Sequence, residues 1–218
     1  MARAGGCHKV NISLAIALMA VGYLLGSIPI AYIVMRLYDG RDLRLLGTGN
    51  VTSTAVMVHA GRVPGSISLL GEIFKTFLCL YIAYLVGAGL WAYLLVLVSA
   101  AVGQIWSIWL KGAGGRGQTI FVTGFLVLCP LPFLFAAASY LLTLRITGRS
   151  YFANQLFHAV TPFALMLAVL FNPAIFGLGE RSWAYCIVGA IFCALFFYKQ
   201  RRESDDIIRS QAWGTYSR

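Results

Sequence analysis

The sequence predicts an all-α, polytopic integral membrane protein. Its six apolar segments read as about seven helices in a single transmembrane domain over 1–198, with a basic, polar tail at 199–218. Three observations predict this. Of 218 residues, 60% are hydrophobic and only 11% charged, against about a quarter charged in a soluble domain. The apolar residues gather in six runs, 11–38, 63–87, 89–110, 119–142, 154–173 and 182–198, each of a length that suits a helix in a bilayer rather than a core strand. Most cations fall between the runs, where they orient a membrane protein and meet anionic head groups.

The first run follows Arg3 and Lys9, as a signal peptide would. It continues past Ala20 to Tyr38 without a small-residue cleavage site, so it reads as an uncleaved span, kinked at Pro29. Loop 39–50 carries Arg41 and Arg44, with Arg36 just before it. The second and third runs are joined by 86–91, which has no charge, and form a hairpin. Lys111 and Arg116 occupy the next loop, Arg145 and Arg149 the one after, and Lys199, Arg201, Arg202 and Arg209 the tail. Runs 154–173 and 182–198 form a second hairpin, across a connection with one acid and one base.

Placing all four basic regions on one side creates a parity problem. Segment 119–142 joins the two hairpins, and one crossing would separate them. Its 24 residues extend about 36 Å at about 1.5 Å per residue, one crossing and not two. Pro130 and Pro132 interrupt its hydrogen-bond ladder. The expectation is therefore two short helices that dip in and return. The helix count becomes seven, with residue 1 outside and the tail inside.

A net charge of +10 in a soluble protein would suggest nucleic acid. Here the aromatics lie mostly in the spans instead of among the cations, so no nucleic-acid partner is expected. The five cysteines show no CxxC spacing, and His8, His59 and His158 do not cluster. Neither a metal nor a cofactor is expected.

Three constellations carry candidate chemistry. The loop Asp42-Leu-Arg44-Leu-Leu-Gly47-Thr48-Gly49-Asn50 combines small residues that let backbone amides approach an oxyanion with donors that suit phosphate and a developing carbonyl charge. Arg44 can clamp a phosphate bidentately, while Asp42 orients an arginine. The bland alternative is a basic turn, with Asn50 or Thr52 capping the next helix. The second loop, Gly112 to Gly117 with Gly114, Gly115 and Arg116, followed by Gln118-Thr119, can form an anion nest at a helix start. It lacks the GxxxxGK[ST] pattern of a nucleotide-binding loop. Third, Glu72 and Lys75 share one helix face about two and a half turns into a span. They are either a self-satisfying ion pair or a lysine held ready for a substrate phosphate. Gln104, Ser107 and Ser27 are further polar candidates.

In this order these residues resemble the acyl-phosphate:glycerol-3-phosphate acyltransferase family, the PlsY-type membrane enzymes of bacterial phospholipid synthesis. The matching pieces are GSIP at 26–29, D-x-R-x-x-G-T-G-N at 42–50, E-x-x-K at 72–75, G-Q-x-x-S at 103–107 and GGRG at 114–117. The resemblance implies a seven-helix bundle in the bacterial inner membrane, with the active-site loops and C-terminus cytoplasmic. It implies acyl transfer from acyl phosphate to the 1-hydroxyl of glycerol 3-phosphate, giving lysophosphatidate. Arg44, Thr48 and Asn50 would be catalytic at the acyl-phosphate end. Lys75, Arg116 and the 114–117 backbone would hold glycerol 3-phosphate, and the acyl tail would lie between helices, reaching membrane lipid. The binding set then comprises Ser27, Asp42, Gly47, Gly49, Glu72, Lys75, Gln104, Ser107, Gly114, Gly115, Arg116 and Gly117. The chain departs from the family pattern in Thr48 for serine, Gln104 for histidine and Arg116 for lysine. It has no histidine after His158. Two alternatives accompany this reading: a non-catalytic or differently specific paralogue that binds a phosphorylated lipid precursor, and a small transporter.

Overall fold

The computed structural model describes residues 12–87, 89–148, 150–171 and 183–199, with only the backbone at 150 and 151. Beyond Lys199, the expected tail lies outside the described residues. Among the described residues all regular elements are helices, the arrangement that satisfies every backbone group without water. In chain order they are α1 (Ile12–Ser27), α2 (Ile30–Asp39), α3 (Ser53–Ala60), α4 (Arg62–Leu85), α5 (Leu90–Ile105), α6 (Gln118–Leu128), α7 (Pro130–Thr147), α8 (Ser150–Phe171) and α9 (Trp183–Lys199), with single 3-10 turns at Leu43–Leu45 and Ile108–Leu110. Ile12–Asp39, Arg62–Leu85, Leu90–Leu110, Pro130–Thr147 and Phe152–Phe171 are each long and apolar enough to cross a membrane. Large apolar side chains such as Leu70, Phe74, Phe135 and Phe163 face outward, as suits a multi-pass membrane protein.

Two runs differ from expectation. The first is divided rather than kinked, because Ile28 and Pro29 leave the helix between α1 and α2. Run 119–142 breaks at Cys129–Pro130 as expected, where Cys129 turns to φ −147° and ψ 69°. Only one of its arms is short, however. α6 has 11 residues, but α7 has 18 and continues to Thr147. Arg145 therefore sits in the last turn of α7 instead of in a loop, and Gly148 ends the helix in the left-handed conformation at φ 64°. Proline at the first position of α7 explains both facts: it cannot continue α6, yet it suits a helix start.

The short helix α3 was not foreseen. Thr52 caps it by accepting a hydrogen bond from the Ala55 amide at 3.2 Å, the capping alternative weighed for the polar loop.

Small residues bring α1 and α5 together. A Cβ on Gly26 would lie 2.1 Å from Ala100 O, and one on Gly103 would lie 2.2 Å from Tyr23 O. Side chains larger than hydrogen would drive the helices apart, the packing mode common in membranes. The main core joins α5, α6, α8 and α9 through Leu97, Phe121, Phe125, Leu165 and Phe192. A smaller core of Met35, Leu43, Val51, Val56 and Leu110 anchors the polar loop.

Candidate active site

The candidate residues divide among three places. The first is the break between α1 and α2. Its carbonyls lack helical partners, and side chains from α4 and the α5 end supply them. Lys75 Nζ donates to Gly26 O and Ile28 O, both at 3.0 Å, and lies 2.7 Å from Glu72 Oε2. Ser107 Oγ donates to Ser27 O at 2.6 Å. Both Glu72 and Lys75 are 3% exposed, and a buried pair of this kind persists only when its remaining protons and lone pairs find partners.

Of the three protons of an ammonium, two go to carbonyls, and the group pairs with the Glu72 carboxylate. Lys75 is thus engaged by these partners and is not on the wall of the open cleft described below. In this arrangement it ties α4 to the α1–α2 break, and the self-satisfying alternative is the one observed.

The second place is the polar loop. Asp42 caps the 3-10 turn by accepting from the Arg44 amide, and it receives both arms of the Arg44 guanidinium: Nε to Oδ1 at 3.0 Å and Nη2 to Oδ2 at 2.7 Å. Arg36 adds a longer contact at 3.4 Å. Both arginines stand over the Tyr32 ring, 5.3–5.4 Å from its centre, a cation–π arrangement. The hydrogen bond from Arg44 is the largest cause that holds the Asp42 carboxyl down at about 2, and the same bond raises the Arg44 pKa.

Asp42 thus orients an arginine, as expected. The Nε–Nη2 fork of Arg44 is bound to that carboxylate. Asn50 Nδ2 donates to Thr48 Oγ1 at 2.9 Å. Gly47 and Gly49 have φ of 52° and 72°, and a Cβ on Gly49 would sit 2.9 Å from Arg44 O. Glycine is required there both by conformation and by close approach.

The third place is an open cleft of about 370 Å³, lined by Thr52, Ser53 and Thr54 at the start of α3, Leu69 and Ile73 of α4, Gln104 of α5, Arg116, Gln118, Thr119, Val122 and Thr123 at the start of α6, Tyr140 of α7 and Asn154 of α8. Its volume suits a small-molecule ligand. One part of the wall is polar, and Leu69, Ile73 and Val122 make another part apolar. Gln118 Nε2 donates to Asn154 Oδ1 at 2.6 Å, tying α6 to α8. His158 holds the Asn154 carbonyl through Nδ1 at 2.8 Å and stacks on Phe196 at 3.6 Å, a structural role.

The glycine loop lies beside this cleft but is not an open nest. Gly114 N donates to Ile105 O at 3.2 Å and Gly115 N to Gln104 O at 2.9 Å. These amides close the end of α5. What remains is the start of α6. Gly117, at φ 73°, precedes it without a side-chain cap, and the first ladder bond runs from Phe121 N to Gly117 O. The amides ahead of Phe121 have no partner in the α6 ladder, and the helix dipole favours an anion there.

The structure therefore gathers Ser27, Glu72, Gln104, Ser107, Gly114 and Gly115 around the α1–α2 break and brings Gln104 and Arg116 to the cleft. Lys75 joins the first group through its bonds to Gly26 O and Ile28 O, while Arg44 and Asp42 stay in the polar loop. Sequence reasoning missed Asn154, Tyr140 and Thr123 as wall residues. Asn154-Gln155 inside an apolar run was the one available signal, since polar side chains in a span usually face a cavity or a partner helix.

The glycerol-3-phosphate acyltransferase family model matches residues 16–210 of this chain. A glycerol-3-phosphate acyltransferase of Bordetella petrii is 30% identical over 198 residues, 88% of each chain. Glycerol-3-phosphate acyltransferase 2 of Moorella thermoacetica is 31% identical over 177 residues, 81% of this chain and 85% of its own. Among solved structures, PlsY (YgiH), an integral membrane glycerol 3-phosphate acyltransferase, matches in its glycerol 3-phosphate form with a TM-score of 0.74 at 22% identity, covering 91% of this chain and 92% of that one. Its lysophosphatidic acid form gives 0.66. At that identity, the structural likeness is one of fold.

Proposed function

We propose that this chain, which belongs to the glycerol-3-phosphate acyltransferase family, is a membrane acyltransferase of phospholipid synthesis that moves an acyl group from acyl phosphate to the 1-hydroxyl of glycerol 3-phosphate. The observation that carries this reading is the two-sided cleft. Its polar wall joins Arg116 to the start of α6, and Leu69, Ile73 and Val122 give the other wall an apolar surface that suits an acyl chain.

In the proposed reaction the 1-hydroxyl oxygen attacks the acyl carbonyl carbon. The new C–O ester bond forms, the bond from that carbon to the phosphate oxygen breaks, and inorganic phosphate leaves. A phosphate oxygen takes the hydroxyl proton, so no side-chain base is required. Acyl phosphate is an activated donor, and orientation with oxyanion stabilisation supplies much of the rate. Arg116, the Gln104 amide and the first amides of α6 hold the phosphate of glycerol 3-phosphate. Asn50, hydrogen-bonded to Thr48 and two residues ahead of the cleft wall at Thr52, stabilises the carbonyl oxygen.

The concentration of cations around 36–44, 111–116 and the tail supports a bacterial plasma-membrane location with those regions cytoplasmic. Tags at residues 1 and 218 found on the same side would overturn that orientation. The activity is tested with purified protein, acyl phosphate and glycerol 3-phosphate, following lysophosphatidate and phosphate release. Absence of turnover together with absence of glycerol 3-phosphate binding overturns the proposal.

A further inference from the structure

A second, smaller cavity, with about 10 Å³ open to water centres, lies at the α1–α2 break and is walled by Ser27, Glu72, Gln104, Ser107, Gly114 and Gly115 among others. Three side-chain atoms of this wall, Ser27 Oγ, Glu72 Oε2 and Gln104 Oε1, are buried without a hydrogen-bond partner in the protein, Glu72 Oε2 having its ion-pair contact with Lys75. Ser27 is fully buried and Gln104 is 9% exposed. A polar atom left in that state is destabilising unless something hydrogen-bonds to it. The neighbouring donors are engaged elsewhere. Gly114 N and Gly115 N donate to Ile105 O and Gln104 O, Ser107 Oγ donates to Ser27 O, and Lys75 donates to two carbonyls and pairs with Glu72.

We propose that this cavity binds one ordered water, which holds Gln104 with its amide Nε2 directed into the neighbouring cleft. The water accepts from the Ser27 hydroxyl and donates to Gln104 Oε1 and to the Glu72 carboxylate. Three partners are the usual number for a buried water, and the space matches the roughly 10–15 Å³ that one requires. Charge selects a neutral ligand over a cation, because Lys75 already balances Glu72 at 2.7 Å.

Gln104 is on the wall of both cavities. A carboxamide has one accepting and one donating end. Fixing the oxygen inward leaves the NH2 for the cleft, where a phosphate oxygen can accept from it. This last step rests on the function proposed above; the water itself does not.

The test is a crystal structure of the full-length protein at a resolution that shows waters. A peak within about 2.7–3.2 Å of both Ser27 Oγ and Gln104 Oε1 is the expected result. A dry cavity, or a Gln104 amide bonded directly to Ser27, overturns the water. So does an anomalous peak in the cavity after a rubidium chloride soak, which would make it a cation site.

For the positioning role, Ser27→Ala should raise KM for glycerol 3-phosphate roughly three- to tenfold, and change kcat less, as loss of about one hydrogen bond predicts. Unchanged KM overturns that role. Should Ser27→Ala fail to fold, Ser27→Cys, which keeps the side-chain shape and weakens the donor, provides the same readout. Absence of glycerol 3-phosphate binding by the unsubstituted protein would instead remove the proposed function and leave the water in the density.

Discussion

The α1–α2 break and the cleft are both polar, both built partly from α4 and α5, and both set within an apolar bundle, yet their donors are used differently. At the break, Lys75 and Ser107 donate to carbonyls of residues 26–28, and Lys75 also pairs with Glu72. At the cleft, Gln118 bonds to Asn154 and Ser53 to Ser68, yet these residues with Thr52, Thr54 and Arg116 still line about 370 Å³ of open space. The lesson concerns how a membrane protein is read. A charge in a span marks either a repaired backbone or a binding site, and only its list of partners tells the two apart.

The sharpest way to break this contrast is Lys75→Met. It strands the Glu72 carboxylate and the carbonyls of Gly26 and Ile28, and should cost about 3–5 kcal/mol. Thermal unfolding in detergent measures it, and adding Glu72→Leu should recover part of the loss. A loss below about 0.5 kcal/mol, the range of an uninvolved surface site, would return Lys75 to the list of substrate ligands.

Arg116→Gln is the opposite case. It should raise KM for glycerol 3-phosphate roughly 10- to 100-fold, as loss of one charged hydrogen bond of about 1.5–3 kcal/mol predicts. Destabilisation without a KM effect would move Arg116 into the structural group.

Next comes Gly103→Ala. Its new methyl would lie 2.2 Å from Tyr23 O, forcing α1 from α5 at about 1–3 kcal/mol. Because Gly103 adjoins Gln104, a KM change alongside the stability loss would show how tightly the break and the cleft are coupled.

The smallest effect is at Asp42. Its folded pKa, about 2, is below the ordinary 3.8. Its contribution is therefore complete above about pH 4 and disappears as pH falls toward 2. Arg36 and Arg44 side chains are 45% and 36% exposed, so screening keeps the contribution below about 1 kcal/mol. Asp42→Asn should flatten the stability profile in that window; an unchanged profile would show that the pair does not stabilise the loop.

Much of this was legible in the chain. Runs of apolar residues announced the spans because a bilayer demands them. Pro130 announced a break and Pro29 a kink, which the structure widens into a full break, because neither carries an amide proton. Arg116 and Gln104 were recognisable as cleft residues beside a glycine loop. Asn154 and Tyr140 were not: each is one polar group in an apolar run, and nothing local says that α8 brings Asn154 to Gln118, 36 positions away. Lys75 was legible as a buried charge, but its partners were not. Two of them are carbonyls 47 and 49 positions earlier.

By itself, then, the sequence determined that the chain is a membrane bundle, where its helices break, and which family's motifs it carries, since these follow from transfer into lipid, missing amides and residue order. The tertiary structure alone decided which polar groups bind one another and which face open space. Hydrogen-bond saturation is set by neighbours in space. In this protein those neighbours are brought together by glycine-mediated contact of α1 with α5 and by the docking of α4 across the break.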